Sequence, residues 1–373
     1  MSQGFWGRFG LTRVDEEVCV RALRSRYSGC RVDEFEEQGY CSYTMRIAPA
    51  SDIDDGSDGH GNSATRSLEE TGRDELIVQL RPAPHALDLN ITHVAKKTYP
   101  SLAPTVAVLD LYLPANLKAY GMDKLAGTPL RWLLPRTCTL TAEAQAKLET
   151  LITSFADFIV QGWQSASKVP ASPIARATRA DSPMEDITDN VLSQCRGKVG
   201  SSIIYRLEKL AAELPDAALR ERAEKVLSAV QNLIDYPTIL NHGDLIPSNI
   251  LVGENRWEIT GVVDWAEAEF LPFGTCLYGL EHLLGYLLPA SSDTVPRWVY
   301  FRETARLREL FWSRLFAAAP DLKAREHEIR LMRDMGVLLW HGIVWDDGAI
   351  DRVVNGLDDQ EELAKLRAFL ATD

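Results

Sequence analysis

Two short polar motifs, each set between apolar runs, constrain this chain more than any other feature. Residues 241–252 read Asn-His-Gly-Asp-Leu-Ile-Pro-Ser-Asn-Ile-Leu-Val, and the Gly-Val-Val-Asp-Trp motif follows shortly after. The apolar runs 250–252 and 259–263 are typical of strands, and the Gly-Glu-Asn-Arg segment between them favours a hairpin turn. A hairpin returns the chain, so the sequence predicts that Asp264 comes back beside Asn249, with Asp244 close by.

An amide and two carboxylates at one point suit phosphoryl transfer. Mg²⁺ prefers hard oxygen ligands and takes few protein groups, and Asn249 and Asp264 supply such oxygens. Asp244 is then left to accept the proton of an incoming hydroxyl, which needs an orienting carboxylate. The order His-x-Asp-x4-Asn, then a strand pair, then Asp matches the catalytic loop and metal aspartate of protein kinases.

These residues resemble the signature of the aminoglycoside phosphotransferase and choline-kinase-like superfamily, and in particular its fungal phosphotransferase members. The resemblance is carried by the His-Gly-Asp of 242–244, by Asn249 and by the Val-Asp-Trp of 263–265. It is clearest over residues 240–274, and a weaker similarity runs from about residue 38 to the C-terminus.

The resemblance implies an α+β, protein-kinase-like fold of two lobes, with a small antiparallel β lobe followed by a larger, mainly helical lobe. It also implies ATP as co-substrate, Asp244 as catalytic base, and Asn249 and Asp264 as Mg²⁺ ligands, with His242 as a structural residue of the loop. Each piece alone also has a structural interpretation, because a Gly-Asp pair marks turns and Asp-Trp can cap a strand. The pieces in this order, with a hairpin between them, favour the active site.

Composition narrows the class of protein and its partners. The chain has 373 residues, 46% apolar and 25% charged, which is typical of a soluble globular protein large enough for two lobes. The net charge of −13 argues against a nucleic-acid partner, which requires clustered Lys and Arg. We expect a small-molecule acceptor, and the acidic balance is compatible with a cationic one.

The expected location is the cytoplasm. Residues 1–10 lack the apolar region of a secretory signal, and no run approaches the ~18 apolar residues of a membrane span. The six cysteines are scattered without a Cys-x-x-Cys pair, as free thiols in a reducing compartment would be. We expect no membrane partner, and a monomer or homodimer.

The first lobe, residues 1–126, is predicted to bind the nucleotide. A helix over residues 14–27 has Thr12 as a plausible N-cap. Residues 37–47 look like two strands around a small-residue turn, where backbone N–H groups from Gly39 to Ser42 can approach phosphate; a plain hairpin is the alternative. Residues 49–74, rich in Gly, Ser, Asp and Asn, are predicted to be a long disordered loop.

The strand over residues 75–82 lacks the Lys that the kinase pattern places there to hold phosphates. Gln79 and Arg81 share a face, and we predict that Arg81 takes this role because guanidinium binds phosphate well. A solvated Arg81 at the end of the strand is the alternative. The helix predicted over residues 86–99 contains no Glu to position such a cation, and Asp88 is its only acid.

Residues 105–111 and 116–122 are predicted strands. The second resembles the hinge of the family, where backbone groups near Tyr120 and Met122 would meet adenine. The alternative is an edge strand that leaves the sheet. The lobe boundary is placed near Gly127.

The second lobe, residues 127–373, is predicted to be mainly helical and to carry the catalytic loop and the acceptor pocket. Asp358 is the predicted cap of the last helix, with Glu361 at capping-box spacing. The predicted helices cover residues 142–163, 202–214, 216–234, 298–318, 324–344 and 360–372.

Four acids are candidates to face a cationic acceptor. Glu267 and Glu269 follow the predicted metal aspartate, and their alternative is a solvated surface position. Asp346 and Asp347 lie in a region that the family uses for its acceptor pocket, and their alternative is an ordinary Asp-Gly turn.

Three functions are therefore open, of which the first has the most support and the other two have equal support. The first is an ATP- and Mg²⁺-dependent kinase acting on a small-molecule hydroxyl. The second is a pseudokinase that binds nucleotide without turnover, which the missing strand Lys and helix Glu favour. The third is a kinase fold repurposed for non-phosphoryl chemistry on a metabolite.

Overall fold

The computed structural model describes residues 4–50, 75–167, 190–291, 294–345 and 350–371. The chain divides into two compact units, Met1–Leu125 and Ala126–Asp373. The segment 51–74, which holds most of the loop predicted to be disordered, lies outside the described residues.

The described part of the first unit is built on an antiparallel sheet. Its strands are β1 Cys30–Glu34, β2 Tyr43–Pro49, β3 Leu76–Arg81, β4 Val106–Leu109 and β5 Lys118–Asp123, and its helices are α1 Phe5–Arg8, α2 Arg13–Arg26 and α3 Leu89–Thr98. The strand order in the sheet is β1-β2-β3-β5-β4. Alternate residues of β2 and β3 point into the core, where Ile47, Val78 and Leu80 are fully buried against Leu23.

Side-chain caps define the starts of two helices of this unit. Thr12 caps α2 in a reciprocal capping box with Asp15, which confirms the predicted start of this helix. Asp88 caps α3 by accepting hydrogen bonds from the backbone N–H groups of Asn90 and Ile91. The only acid predicted within this helix therefore serves its N-terminus.

Strand β5 lies inside the sheet. Tyr120 is opposite Gln79 of β3 on one side and Val108 of β4 on the other. The edge-strand alternative is therefore wrong, because β4 returns to pair with the outer side of β5.

The second unit is mainly helical, with short strand pairs between its helices. Its helices are α4 Ala142–Ser167, α5 Ile203–Glu213, α6 Ala217–Gln231, α7 Tyr278–Leu283, α8 Thr304–Ala318, α9 Glu326–Gly342 and α10 Gln360–Leu370. Its strands are β6 Thr128–Pro129, β7 Thr238–Asn241, β8 Ile250–Val252, β9 Ile259–Val262, β10 Glu269–Pro272, β11 Gly285–Leu288, β12 Arg297–Tyr300, β13 Ile343–Trp345 and β14 Asp351–Val353. Strands β6, β8 and β9 form one sheet, and β7 pairs with β10, β11 with β12, and β13 with β14.

Two local predictions in this unit are wrong. The start of the helix predicted from residue 298 is instead strand β12, whose aromatic and β-branched residues pair with β11. Asp358 does not cap α10, because the N-cap residue is Asp359. The Asp359 carboxylate makes no capping bond and instead binds Arg352 and the backbone N–H of Asn355.

The fold class is α+β, with a smaller antiparallel β unit followed by a larger, mainly helical unit, as predicted. Among the described residues, no helix combines the length and apolar character that a bilayer span requires.

Candidate active site

The predicted hairpin is present and returns the chain to Asn249. Strands β8 and β9 pair antiparallel, with Ile250 opposite Val262. Beyond this pair, the backbone N–H of Val263 donates to the carbonyl oxygen of Asn249 over 2.9 Å. Asp264, the next residue, is therefore brought beside Asn249 by strand pairing alone.

Asn249 holds Asp244 from across the loop. Its Nδ2 donates to the Asp244 carboxylate Oδ2 at 2.8 Å and to the Asp244 carbonyl oxygen at 2.9 Å. The other carboxylate oxygen, Oδ1 of Asp244, is buried and has no hydrogen-bond partner among the described residues. Buried polar atoms without a partner are rare in native proteins and call for a functional explanation.

The electrostatic surroundings of Asp244 favour its protonated form. Burial, followed by the negative charge of Asp264, raises its pKa to about 7, although the Asn249 hydrogen bond opposes the shift and Glu267 adds to it. A carboxyl group with a pKa near neutrality is well matched to accepting a proton in a reaction at physiological pH.

Asp264 has a backbone conformation that few non-glycine residues adopt. Its φ of 60° and ψ of 65° lie in the left-handed region, at the start of the 3₁₀ turn Trp265–Glu267. Such conformations cost roughly 1–3 kcal/mol and cluster at functional sites. Asp264 is exposed and lies two residues after the end of β9.

His242 joins the loop to the segment that carries Asp264. Its Nε2 donates to the Val263 carbonyl at 2.8 Å, and its Nδ1 accepts from the Asp244 backbone N–H at 3.3 Å. Burial lowers its pKa to about 4, so the ring is neutral and can act as donor at one nitrogen and acceptor at the other. Its ring also meets Trp265 edge-on, with centroids 4.6 Å apart.

The position between His242 and Asp244 requires a glycine, Gly243. Its φ is +80°, and a Cβ at this position would lie 2.0 Å from the carbonyl oxygen of Glu267. The absence of a side chain thus lets the residue before Asp244 pack against the turn after Asp264.

The predicted acceptor-facing acids have different surroundings. Glu267 is exposed. Glu269 is 8% exposed, and its carboxylate accepts hydrogen bonds from the backbone N–H groups of Val199 at 2.9 Å and Gly200 at 2.8 Å. Glu269 is therefore not the solvated acid of the alternative prediction, because it pairs with the backbone at the start of the 3₁₀ turn before α5. Asp346 and Asp347 lie outside the described residues.

The predicted nucleotide-binding residues all belong to the first unit. Arg81 is 3% exposed, and its Nε donates to Gln79 Oε1 at 3.0 Å, so the solvated alternative is wrong. Ser42 is buried, with its Oγ 2.8 Å from where a Cβ of Gly39 would lie.

The two residues predicted at the hinge lie on β5, which pairs with a strand on each side. The Tyr120 hydroxyl accepts the Leu87 backbone N–H at 3.2 Å. Met122, also on β5, is partly buried and lies opposite Ile77 of β3 and Val106 of β4.

Sequence reasoning missed a buried residue whose side chain binds the catalytic loop. The Tyr278 hydroxyl accepts a hydrogen bond from the Leu245 backbone N–H at 2.9 Å. Tyr278 belongs to no recognisable motif, and its helix α7 is buried but also contains Glu281 and His282, so no apolar pattern marks it in the sequence.

The oxygen donors near Asp244 suit a hard cation. Because the Asn249 Nδ2 is committed to Asp244, the side-chain oxygen Oδ1 of Asn249 remains as an acceptor. No cluster of three His, Cys, Asp or Glu side chains able to hold a metal occurs in the described part of the chain. One amide and one carboxylate fit Mg²⁺, which keeps several waters and binds substrate phosphates.

The stretch of sequence that contains this site matches a known protein family. The model of the phosphotransferase enzyme family matches residues 57–274, more than half of the chain, including Asp244, Asn249 and Asp264. The chain belongs to the phosphotransferase enzyme family. The predicted superfamily resemblance is thereby confirmed.

Comparisons with solved structures return proteins that are named as phosphotransferases or kinases. Choline kinase LicA from Streptococcus pneumoniae has 12% identity, covering 96% of this chain and 98% of its own, with a TM-score of 0.48. Macrolide 2'-phosphotransferase MphH from Brachybacterium faecium has 17% identity, covering 87% and 91%, with a TM-score of 0.45. Aminoglycoside phosphotransferase APH(3'')-Id from Streptomyces rimosus has 14% identity, covering 86% and 98%, with a TM-score of 0.42. No curated protein sequence matches this chain.

Proposed function

We propose that this protein is an ATP- and Mg²⁺-dependent phosphotransferase that transfers a phosphoryl group to a hydroxyl of a small molecule. Membership of the phosphotransferase family supports the reaction class. The observation that carries the proposal is the state of Asp244: Asn249 holds one carboxylate oxygen, and the other is buried without a partner.

Asp244 is the proposed catalytic base. Its Oδ1 accepts a hydrogen bond from the acceptor hydroxyl, orients the oxygen for attack on the γ-phosphorus, and takes the proton as the new P–O bond forms, while the bond between the γ-phosphorus and the bridging oxygen breaks and ADP leaves. The raised pKa brings the proton affinity of the carboxylate closer to that of the reacting group. Asn249 keeps the carboxylate from rotating, since it binds Oδ2 and the main chain of the same residue.

Asn249 and Asp264 are the proposed Mg²⁺ ligands. Mg²⁺ bound there would neutralise negative charge on the transferring phosphate oxygens. The chain contributes two fixed donors, because strand pairing holds Asn249 and the turn at Trp265 holds Asp264.

Nucleotide contacts are proposed for the first unit. Arg81, buried at the end of β3, is proposed to bind phosphate, and the backbone from Gly39 to Ser42 is proposed to approach it as well. Pairing on both sides occupies the backbone of β5 at Tyr120 and Met122. We therefore propose that adenine meets the chain after Asp123, where this pairing ends.

A cationic alcohol is the proposed class of acceptor. Glu267 is an exposed acid three residues after Asp264, on the turn that packs against Gly243. Glu269 is less suited, because its carboxylate is used by Val199 and Gly200. We further propose that the enzyme acts in the cytoplasm, where ATP is available, as a monomer or homodimer.

ADP release from Mg·ATP tests the proposal, with choline, streptomycin and a macrolide as the acceptor panel. Asp244→Asn keeps the side-chain shape and should lower turnover by about 10²–10⁴-fold, the usual contribution of a general base. Asp110→Asn, at an exposed position of the first unit, is the matched control and should leave turnover unchanged. Acceptor-dependent turnover that survives Asp244→Asn would refute the assignment of the base.

Nucleotide binding without turnover is the second candidate, and one observation favours it. β3 carries Arg81 in place of a Lys, and Asp88 is committed to capping α3. Thermal stabilisation by Mg·ATP, with no ADP release for any acceptor in the panel, would favour this candidate over the kinase.

A further inference from the structure

The peptide unit between Asp244, the proposed base, and Leu245 is hydrogen-bonded at both its carbonyl and its N–H group. Its carbonyl, that of Asp244, accepts hydrogen bonds from Asn249 Nδ2 at 2.9 Å and from the Ile246 backbone N–H at 3.1 Å. Its N–H, that of Leu245, donates to the Tyr278 hydroxyl at 2.9 Å. Because a peptide unit is planar, bonds at both ends fix its rotation and hence the backbone that carries the Asp244 side chain.

Helix α7 brings Tyr278 to this peptide by close approach of the two backbones. A Cβ at Gly279 would lie only 2.8 Å from the carbonyl oxygen of Leu245. Leu245 is fully buried and Tyr278 is 3% exposed, so water does not replace the phenol as acceptor. A buried backbone N–H requires a partner, and here a side chain supplies it.

Helix α9 packs against the Tyr278 ring. The ring stacks on Trp340 with centroids 5.2 Å apart and planes 8° from parallel. One turn earlier on α9, a Cβ at Gly336 would lie 1.8 Å from the Thr275 carbonyl oxygen and 3.3 Å from the Tyr278 ring. The phenol is therefore set between a packed helix and the catalytic loop.

We infer that Tyr278 is a positioning residue for phosphoryl transfer. Its hydroxyl fixes the Asp244–Leu245 peptide and thereby aims the Asp244 carboxylate at the acceptor hydroxyl. This inference rests on the proposed role of Asp244 as base. Tyr278 acts through the backbone, so it should affect the catalytic step and leave nucleotide binding largely unchanged.

Tyr278→Phe removes only the hydroxyl and keeps the stacked ring. We expect kcat for ADP release to fall about tenfold to a hundredfold, since small misplacements of a reacting group have effects of this size. The KM for ATP should stay within about twofold, because an interaction that acts on the catalytic step alone appears in kcat. Hydrogen exchange of the Leu245 amide, followed by NMR, should become faster.

Tyr236→Phe is the matched control. Tyr236 is also a buried phenol of the second unit, and its hydroxyl donates to the Phe273 carbonyl at 2.8 Å. This substitution should lower the melting temperature to a similar degree as Tyr278→Phe, yet leave kcat and the Leu245 exchange rate as in the wild type. A purely structural role for Tyr278 would instead make the two variants behave alike.

Two outcomes overturn the inference: an unchanged kcat in Tyr278→Phe, or an unchanged exchange rate of the Leu245 amide. If the wild type releases no ADP with the acceptor panel or with water, the proposed function fails by itself. The exchange rate of the Leu245 amide then decides alone whether Tyr278 holds this peptide.

Discussion

Asn249 binds Asp244 through a single amide nitrogen, which donates to both the carboxylate and the main-chain carbonyl of that residue. The residue proposed to hold the metal therefore also orients the proposed base. This coupling means that the two roles cannot be separated by removing the Asn249 side chain.

Asn249→Ala should affect activity and stability together. It leaves Oδ2 of Asp244 without its donor and the Asp244 carbonyl with only the Ile246 backbone N–H. It also removes a hydrogen bond that lowers the pKa of Asp244, so this pKa should rise further. We expect a loss of about 1–3 kcal/mol in the free energy of unfolding and loss of Mg²⁺-dependent ADP release. Urea unfolding and the ADP assay measure these effects.

Asn232→Ala is the control for this substitution. Asn232 donates to the Ser228 carbonyl at an exposed helix end. It should have little effect on either measurement, and equal losses in the two variants would contradict a special role for Asn249.

Gly243→Ala should be strongly destabilising. The left-handed backbone costs a non-glycine residue roughly 1–3 kcal/mol, and the new Cβ would also clash with the Glu267 carbonyl. We expect a lower melting temperature and loss of turnover, because relief of the clash moves the turn after Asp264. Gly356→Ala, where a Cβ meets nothing within 4 Å, should behave as the wild type.

Glu267→Gln should weaken binding of a cationic acceptor without changing stability. The side chain is exposed, and its charge is the property that a cation would recognise. We expect a higher KM for choline or streptomycin, whichever is turned over, with a KM for a neutral alcohol unchanged.

Glu269→Gln provides the contrasting case. The two N–H groups bind different oxygens of the Glu269 carboxylate, and in Gln one of these oxygens is replaced by an NH₂ group, which donates and so leaves one N–H without its acceptor. This variant should therefore lose stability by about 1–3 kcal/mol. The opposite pattern, with acceptor binding lost only in Glu269→Gln, would exclude Glu267 from the pocket.

The stability of the second unit should fall below about pH 6.5. His282 and His341 are buried with their Nε2 atoms 3.2 Å apart, and His341 also bonds Glu362. Burial lowers the pKa of both histidines below the ordinary 6.5. The unfolded chain then binds protons that the folded chain does not, so the stabilisation is complete above pH 6.5 and is lost as the pH falls.

Urea unfolding followed by tryptophan fluorescence measures this effect, since eight of the nine tryptophans follow residue 125. His282→Asn should flatten the dependence of unfolding free energy on pH between about 6.5 and 5, by up to one proton or ~1.4 kcal/mol per pH unit. His93→Asn, at an exposed position of the first unit, should leave the slope unchanged.

The sequence by itself determined the features that depend on neighbouring residues. The β-type runs around residues 253–256 specify the hairpin, and the hairpin specifies that Asp264 returns to Asn249. Thr12 and Asp15 likewise specify the start of α2 through a local capping box. In each case the interacting groups are a few residues apart or are joined by one turn, so spacing alone carries the geometry.

Only the tertiary structure decided the features that depend on distant pairing. Local pattern could not say whether β5 lies at the edge of its sheet, since this depends on where β4 docks. The burial of Glu269 depends on the backbone of residues 199 and 200, and Tyr278 meets Leu245 across 33 residues. The reason is that the local sequence pattern encodes the burial and the secondary-structure propensity of a residue. Which distant residue it contacts is set by the packing of the whole unit.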